Sequence, residues 1–384
     1  MTNEINKKQT LGRFDIVGNI AVDSNVFALG GRGKNNQNWI SNVFNPRVEG
    51  EDGASMFVRI QDGYHEVNGK TIYVRSTNDE SMEIKFADRF NENILSLVNE
   101  MSFIKVFTKK VEKVNEENGN KYFAWEEPKK FLTVFDAINF LNTIMPLASK
   151  NKVRMTGEVK YTKYNGKVQR NFELKTIYIL TNNEEVGKEI PLGFNFTQNI
   201  IVMKDAVNMD KFETEGVATV QAKLYVRKAA NQYEIIDLPL TVRVTEENKT
   251  TYKRVLEKYM TVADKDKVRR INIEGVFKVG YISANVNEAE LPPTALELLE
   301  DGFYTREEVL KMYLKKEKVD ETLLRRPIVR IIDGTPAVDM SETDYTIEDI
   351  NIAMNNSTQE EEEIVVVDES SKITESLLNE LNGL

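Results

Sequence analysis

The stretch KVRMTGEVKYTKYNGKVQRNFELKTIYIL, residues 152–180, decides the fold class. Polar and apolar residues alternate along both of its halves, as they do in β-strands that bury one face. Between the halves lies Tyr164-Asn165-Gly166-Lys167, and Asn-Gly is the strongest short signal for a hairpin turn. The stretch therefore predicts two long antiparallel strands.

The same order of elements occurs a second time along the chain. Helical spacing over 135–150 precedes the hairpin, and helical spacing over 251–264 precedes the strand-like VRRINIEGVFKVGYI of residues 268–282. Thr133 and Thr251, which begin the helical stretches, are 118 residues apart (251 − 133), as are Gly157 and Gly275 in the strands that follow (275 − 157). The repeated order indicates an internal duplication.

Hydrophobic pattern and composition divide the chain further. Residues 28–48, rich in Gly and Asn, are expected to form a long loop. From Asp333 onward acids dominate and aromatic residues nearly vanish, which predicts disorder. The fold class expected is mainly β with some α, in five segments: a flexible N-terminus (1–10), two OB-like β-barrel domains (11–182 and 190–286), a small helical module (291–330) and a disordered acidic tail (333–384).

The charge is distributed unevenly. The 384 residues carry 51 bases and 61 acids, a net charge of −10. Residues 333–384 hold 14 acids and one base (1 − 14 = −13), which leaves 50 bases and 47 acids (+3) for residues 1–332. A slightly basic body with a detached acidic tail suits a protein that binds nucleic acid.

Several classes of site are excluded or left without support. The chain has no Cys and one His, so thiolate metal sites, disulfides and mechanisms that need two histidines are out. No phosphate-loop, nucleophile-elbow or metalloprotease motif occurs, so we expect no enzyme, no cofactor and no metal. No apolar run could span a membrane and no secretory leader precedes the body, so a cytoplasmic location is expected.

Three groups of cations interleaved with aromatic residues are candidate DNA-binding sites, because cations contact phosphates while aromatic faces stack on bases. The first lies in the predicted loop, the second on a predicted hairpin over 102–127, and the third at the tip of the 152–180 hairpin. The residues are, in turn, Arg32, Lys34, Trp39, Phe44 and Arg47; Lys105, Phe107, Tyr122 and Trp125; and Lys160, Tyr161, Lys163, Tyr164, Lys167 and Arg170.

The 152–180 stretch resembles the closing strands of OB-fold domains in replication proteins of phages that infect low-GC Gram-positive bacteria. With the acidic tail and its apolar end, the chain resembles phage-type single-stranded-DNA-binding proteins with tandem OB-like domains. The resemblance implies five-stranded barrels with a helix between the third and fourth strands. It also implies sequence-tolerant binding of single-stranded DNA in DNA replication and recombination, in the host cytoplasm if the chain is phage-encoded.

The tail is expected to modulate DNA binding and to recruit replication or recombination proteins. Its end places Ile373, Leu377 and Leu381 on one helical face, which suits a partner's groove; these leucines could instead dock on the chain's own helical module. Two other interpretations stay open: a virion or assembly protein built of β-domains, and an enzyme acting on nucleic acid. The sequence does not give the oligomeric state.

Overall fold

The computed structural model of the chain describes residues 9–33, 38–51, 54–115, 117, 119–164, 167–180, 190–229, 232–283, 293–301, 305, 309 and 316–356. Its fold is mainly β with a few helices, which confirms the expected fold class.

The strands and helices of the first half are β1 (Gly12–Ala21), β2 (Phe27–Arg32), β3 (Trp39–Phe44), β4 (Arg47–Glu49), β5 (Ser55–Phe57), β6 (Ile60–His65), β7 (Thr71–Arg75), β8 (Ser81–Lys85), α1 (Glu92–Leu95), β9 (Ile104–Phe107), β10 (Lys110–Val114), β11 (Lys121–Trp125), β12 (Lys129–Phe131), α2 (Val134–Ile144), β13 (Lys150–Tyr164) and β14 (Lys167–Ile179).

Those of the second half are β15 (Gly193–Val202), β16 (Val207–Asn208), α3 (Phe212–Glu215), β17 (Val217–Ala229), β18 (Gln232–Arg243), α4 (Lys249–Val255), β19 (Arg269–Ser283), α5 (Pro293–Glu300), β20 (Lys316–Pro327), β21 (Val329–Ile332), β22 (Thr335–Val338), β23 (Met340–Ser341) and α6 (347–356).

The second half contains a closed five-stranded barrel. Its strands pair in the order β15-β17-β18-β20-β19, and β19 pairs again with β15. The pairing of β18 with β20 is parallel, and α4 lies between the third and fourth strands of this barrel. Closure, strand order and helix position are those expected of an OB fold.

The first half repeats most of this arrangement. Strands β1, β13, β14 and β9 take the places of β15, β19, β20 and β18, again with a parallel pair (β14 with β9) and with a helix, α2, before β13. The short β4 pairs with the end of β1, where the second half has β17. Thr133 caps α2 as expected, whereas Thr251 lies inside α4, which begins at Lys249.

The two halves share an irregularity of strand pairing. In the first half the register shifts between Thr156 and Gly157, and in the second it shifts between Glu274 and Gly275. A Cβ atom on either glycine would approach a phenylalanine ring and a carbonyl oxygen of the next strand; at Gly157 that oxygen is 2.0 Å away and at Gly275 it is 2.3 Å away. Both positions therefore require a residue without a Cβ atom for the same reason, which supports the inferred duplication.

The two halves share one core. Strands β1 and β15 pair antiparallel with Phe14 opposite Phe196, so one sheet runs through both halves. Ring contacts continue from Phe14 to Phe172 (5.1 Å between centroids), from Phe172 to Phe277 (6.2 Å) and from Phe277 to Phe196 (4.6 Å). Because the rings are packed across the junction, the two halves are coupled through their shared core and are not independent domains joined by a flexible linker.

A small subdomain is inserted into the first half between β6 and β9. The hairpin of β7 and β8 packs with α1 around its own core, which includes Ile72, Val74, Ile84 and Phe86. An ion pair from Arg89 to the buried Asp136 of α2, 2.8 Å long, ties this subdomain to the rest of the first half.

Three sequence-based boundaries need correction. Residues 28–48, expected as a loop, form β2, β3 and β4 around buried residues such as Phe44 and Val48. Among the described residues of the expected helical module, α5 agrees with the prediction, whereas β20 runs through 316–327 and completes the barrel. Order also extends past Asp333: β22, β23 and α6 belong to the fold through residue 356.

Candidate nucleic-acid interface

Three aromatic side chains meet on the outer surface of the first half, and we call Phe107, Trp125 and Tyr178 the aromatic cluster. The rings of Phe107 and Tyr178 are stacked, 4.5 Å apart and 10° from parallel. Trp125 meets Tyr178 at 5.1 Å and Phe107 at 5.8 Å in tilted and edge-on geometry. All three side chains are partly exposed, so the cluster offers ring surface to a ligand.

Strand pairing brings the cluster together from distant parts of the sequence. The parallel pair of β14 and β9 places Tyr178 opposite Phe107. In β9, Ile104 and Val106 point inward and are buried, so Phe107 points outward by alternation. Trp125 ends β11, opposite Lys110 at the start of β10.

The hairpin of β10 and β11 extends this surface. Its two strands pair only with each other among the described residues. Tyr122 and Phe123 are 48% and 46% exposed, and their adjacent positions in β11 direct them to opposite faces. The hairpin thus shows aromatic surface on both sides, beyond what a core requires.

Cations lie beside the cluster. The Lys110 ammonium is 5.2 Å from the centre of the Trp125 ring, a cation–π distance. Lys105 and Lys130 both contact Glu100, at 3.1 and 2.9 Å. Hydrogen bonds from Lys130 and then Lys105 lower the pKa of the Glu100 carboxyl. Such exposed ion pairs contribute little to stability, so a phosphate can replace Glu100 as their partner.

Burial divides the members of the first predicted group. Phe44 is fully buried and stacks on Phe27 at 4.9 Å, so it belongs to the core and its assignment to DNA is wrong. Arg32 forms an exposed ion pair with Glu66 (2.8 Å), and Arg47 donates to the Ser55 hydroxyl.

Trp39 remains a candidate, separate from the aromatic cluster. It is 38% exposed, and its ring lies over Gly63 of the neighbouring strand β6. It stands on the β2-β3-β6 sheet, a different sheet from the one that carries Tyr178. Lys34 lies outside the described residues.

Two of the six residues in the third predicted group are structural. The β13–β14 hairpin is confirmed, but Tyr161 is buried, and its burial raises the pKa of the phenol. Arg170 pairs with Asp320 of the second half (2.6 Å) and lies 4.6 Å over the Phe277 ring. Tyr161 is therefore corrected from a DNA contact to a core residue, and Arg170 to a part of the junction between the halves.

The other members of this group lie along the same two strands. Lys160 is paired with Glu173 at 2.6 Å, whereas Lys167 is exposed. Lys163 is half-buried and Tyr164 ends β13, and both positions stay predicted contacts.

The second barrel has a comparable aromatic surface, but it is covered. Tyr225 of β17 and Tyr233 of β18 are stacked at 4.7 Å. Tyr345 packs against Tyr225 at 5.2 Å, and the buried Ile350 of α6 joins the same cluster. Among these aromatic surfaces, the one in the first half is open and the one in the second half is closed.

The tail prediction is revised accordingly. Six of its 14 acids lie in the folded residues 333–356, where Glu342 and Asp344 pair with Arg269 and Arg270 at 2.7 and 2.5 Å. Residues 357–384 keep eight acids and one base, a charge of −7 (1 − 8). Ile373, Leu377 and Leu381 lie outside the described residues.

Tyr178 is the member of the cluster that the sequence-based selection missed. Tyr178 lies in the 152–180 hairpin, but its stacking partner Phe107 is 71 residues away (178 − 107) in the sequence. The parallel pairing of β14 with β9 brings the two side chains together. The OB topology expected from the sequence predicts this contact, because the third and fifth strands of that fold are neighbours.

Within the described ranges no group of three His, Cys, Asp or Glu side chains is placed to hold a metal ion. No described helix combines the length and the apolar character needed to cross a membrane.

Comparisons with known proteins give one structural likeness to report. No known family profile matches the chain, and no curated protein matches it. Among solved structures, a deletion mutant of the single-stranded DNA binding protein from Thermus aquaticus is similar over 70% of this chain and 88% of that chain, with 9% identity and a TM-score of 0.30. At this level the likeness does not bear on what the chain binds.

Proposed function

We propose that the chain binds single-stranded DNA with little base specificity. The aromatic cluster carries the proposal: three partly exposed rings with a cation 5.2 Å from one of them. Bases of any identity stack on aromatic faces, and lysines attract the phosphates between them. The OB-type topology supports the proposal, since barrels of this kind often bind oligonucleotides.

The role that we propose is accessory and non-enzymatic. A protein that coats exposed strands serves DNA replication and recombination, and it needs no catalytic group and no cofactor. The resemblance of the 152–180 hairpin to phage replication proteins supports a phage-type setting, in the host cytoplasm.

The tail proposal is confined to residues 357–384, with their charge of −7. A tethered polyanion competes with DNA for nearby cations at high effective concentration. Its last residues supply the apolar face of Ile373, Leu377 and Leu381 for a replication or recombination protein.

Equilibrium titration of the full chain with labelled oligo(dT) and with duplex of equal length tests the proposal. We expect tighter binding of the single strand, an affinity that falls as salt rises, and similar affinities for different base compositions. Preference for duplex, or no binding of either, would contradict it.

A further inference from the structure

A cleft of 590 Å³ opens in the second half, beside the start of β15. Gly50, Glu51 and Ala54, between β4 and β5, form one wall, and β19 with β20 forms the other. The lining is mostly apolar, with Phe194, Val276 and Leu323 among its members, and it carries the cations Arg243, Lys278 and Arg325 against one acid, Glu51. Clefts of this size and composition are typical binding sites for small ligands or their parts.

The duplication supplies an internal comparison for this cleft. The register pairs Glu158 with Glu173 in the first half and Val276 with Leu323 at the corresponding positions of the second half. The same correspondence matches Lys160 with Lys278, two residues beyond Glu158 and Val276.

The bulge residues also correspond. In the first half Leu174 and Thr176 pair with consecutive residues of β13, so Lys175 between them is the extra residue of the bulge. In the second half Leu324 and Arg326 pair with consecutive residues of β19, so Arg325 is the extra residue and matches Lys175. Lys160 and Lys278 therefore occupy matching positions, and so do Lys175 and Arg325. Each of the two positions carries a cation in both halves.

In the first half these cations are neutralised. Lys160 contacts Glu173 at 2.6 Å, and Lys175 contacts Glu158 at 3.9 Å. In the second half valine and leucine replace the two acids, while both cations are kept. The cations are thus retained beside an apolar cleft where their carboxylate partners have been lost.

The remaining partners do not neutralise the cleft. Arg325 donates to the neutral side chain of Asn195 at 3.4 Å. Glu321, opposite Lys278 in the register, forms a two-pronged pair with Arg243 instead. Among the described residues no carboxylate stands within ion-pair distance of Lys278 or Arg325.

Part of the cleft lining, Val276 with Lys278, lies on the same face of one sheet as the aromatic cluster. Residues opposite each other in paired strands share a face, and Thr176, Thr156, Asp15, Asn195 and Val276 form one such row across five strands. Tyr178 is two residues from Thr176 and so shares that face. Four strand spacings, about 19 Å along the sheet, separate β14 from β19.

We propose that the cleft binds one nucleotide of the same single strand that stacks on the aromatic cluster. Lys278 and Arg325 contact its phosphate, and the apolar lining accepts its base. This inference rests on the proposed function and adds a second anchoring point in the other half of the chain. Continuity with the cluster favours DNA over the acidic residues 357–384 as the occupant.

The test uses the full chain and two labelled oligo(dT) lengths, about 4 and about 16 nucleotides, the limits of known site sizes per OB fold. The variant Lys278→Glu with Arg325→Glu should bind the long strand about tenfold more weakly or worse, because one of two tethered contacts is lost. Its salt slope on the long strand should fall by about 0.7, because the contacts to one phosphate are lost. Binding of the short strand, held at the cluster, should be unchanged.

The matched control is Lys265→Glu with Lys267→Glu, an equal change of charge at exposed positions before β19. Val276→Glu with Leu323→Glu, which installs the acids of the first half, should weaken long-strand binding like the cleft variant. Thermal melting confirms that each variant is folded.

The outcomes separate the two proposals. If the unmodified chain binds neither strand, the proposed function fails. If it binds both and the cleft variants match the control, or weaken both lengths equally, the cleft assignment is wrong. If the cleft variants bind DNA more tightly, and deletion of 357–384 removes that difference, the cleft holds the tail and the nucleotide assignment is overturned.

Discussion

Replacing Trp125 by alanine separates base stacking from folding. In the free protein the ring contacts Phe107 and Tyr178 at 5.8 and 5.1 Å. Two aromatic pairs contribute about 1–3 kcal/mol in total to local stability. The shared core of the two halves is remote from Trp125, so the variant should stay folded with a loosened β10–β11 hairpin.

The loss in binding should be larger than a local loosening explains. Removing one stacking side chain costs about 1–3 kcal/mol of binding free energy, which corresponds to an affinity for oligo(dT) about 5-fold to about 140-fold lower. Trp125→Phe keeps an aromatic face and should recover most of the affinity.

Intrinsic fluorescence provides the assay, because the chain has two tryptophans. Trp39→Phe leaves Trp125 as the only reporter, and Trp125→Phe leaves Trp39. We expect oligo(dT) to quench the Trp125 signal strongly, at a midpoint that matches the independently measured affinity. If the strand binds while Trp125 emission is unchanged and Trp125→Ala keeps full affinity, the reasoning about the cluster is refuted.

Three further variants test the packing and the tail. Gly275→Ala should lower the free energy of unfolding by about 1–3 kcal/mol in denaturant titration, because its Cβ would lie 2.3 Å from the Leu323 carbonyl oxygen; a neutral result would contradict the account of the bulge. Tyr161→Phe should raise it by about 1–3 kcal/mol, since the buried hydroxyl has no hydrogen-bond partner among the described residues. The raised pKa of Tyr161 keeps its phenol protonated in the fold, so stability should fall as pH rises above about 10, and Tyr161→Phe should lessen that fall. Deleting 357–384 should tighten oligo(dT) binding most at low salt, and a salt-independent effect would argue against electrostatic competition.

Local patterns in the sequence were sufficient for much of the second barrel and for the central hairpin. Alternation predicted the strands, Asn165-Gly166 predicted the hairpin whose strands pair as far as Tyr164 and Lys167, and the equal spacing of Gly157 and Gly275 indicated a duplication. These features depend on near neighbours in the chain, which is why they are readable without a structure.

Features that depend on contacts between distant parts of the chain could not be predicted from the sequence. The strand β20 contains KEKVDETLLRR, whose residues favour helices, but pairing with β19 and β18 makes it extended. The order of residues 335–356 depends on Arg269, Arg270 and Tyr225 far upstream. Tertiary contacts outweighed local propensity at both places.

The candidate site shows the same division. Phe107 and Trp125 were selected because they alternate with lysines, and the structure brings them together with Tyr178. Phe44 and Tyr161 belonged to similar local patterns, yet they are buried. A cation–aromatic pattern on a strand identifies the residue types of a binding surface, but the face that is exposed is decided by the packing of the sheet.

Photocrosslinking of the full chain to an iodouracil-containing single strand, with the joined peptides identified by mass spectrometry, tests the central claim most directly. The account predicts crosslinks at Phe107, Trp125 or Tyr178, and their loss when unlabelled oligo(dT) competes. Crosslinks confined to other surfaces, such as the exposed Tyr73 of the inserted subdomain, would contradict it.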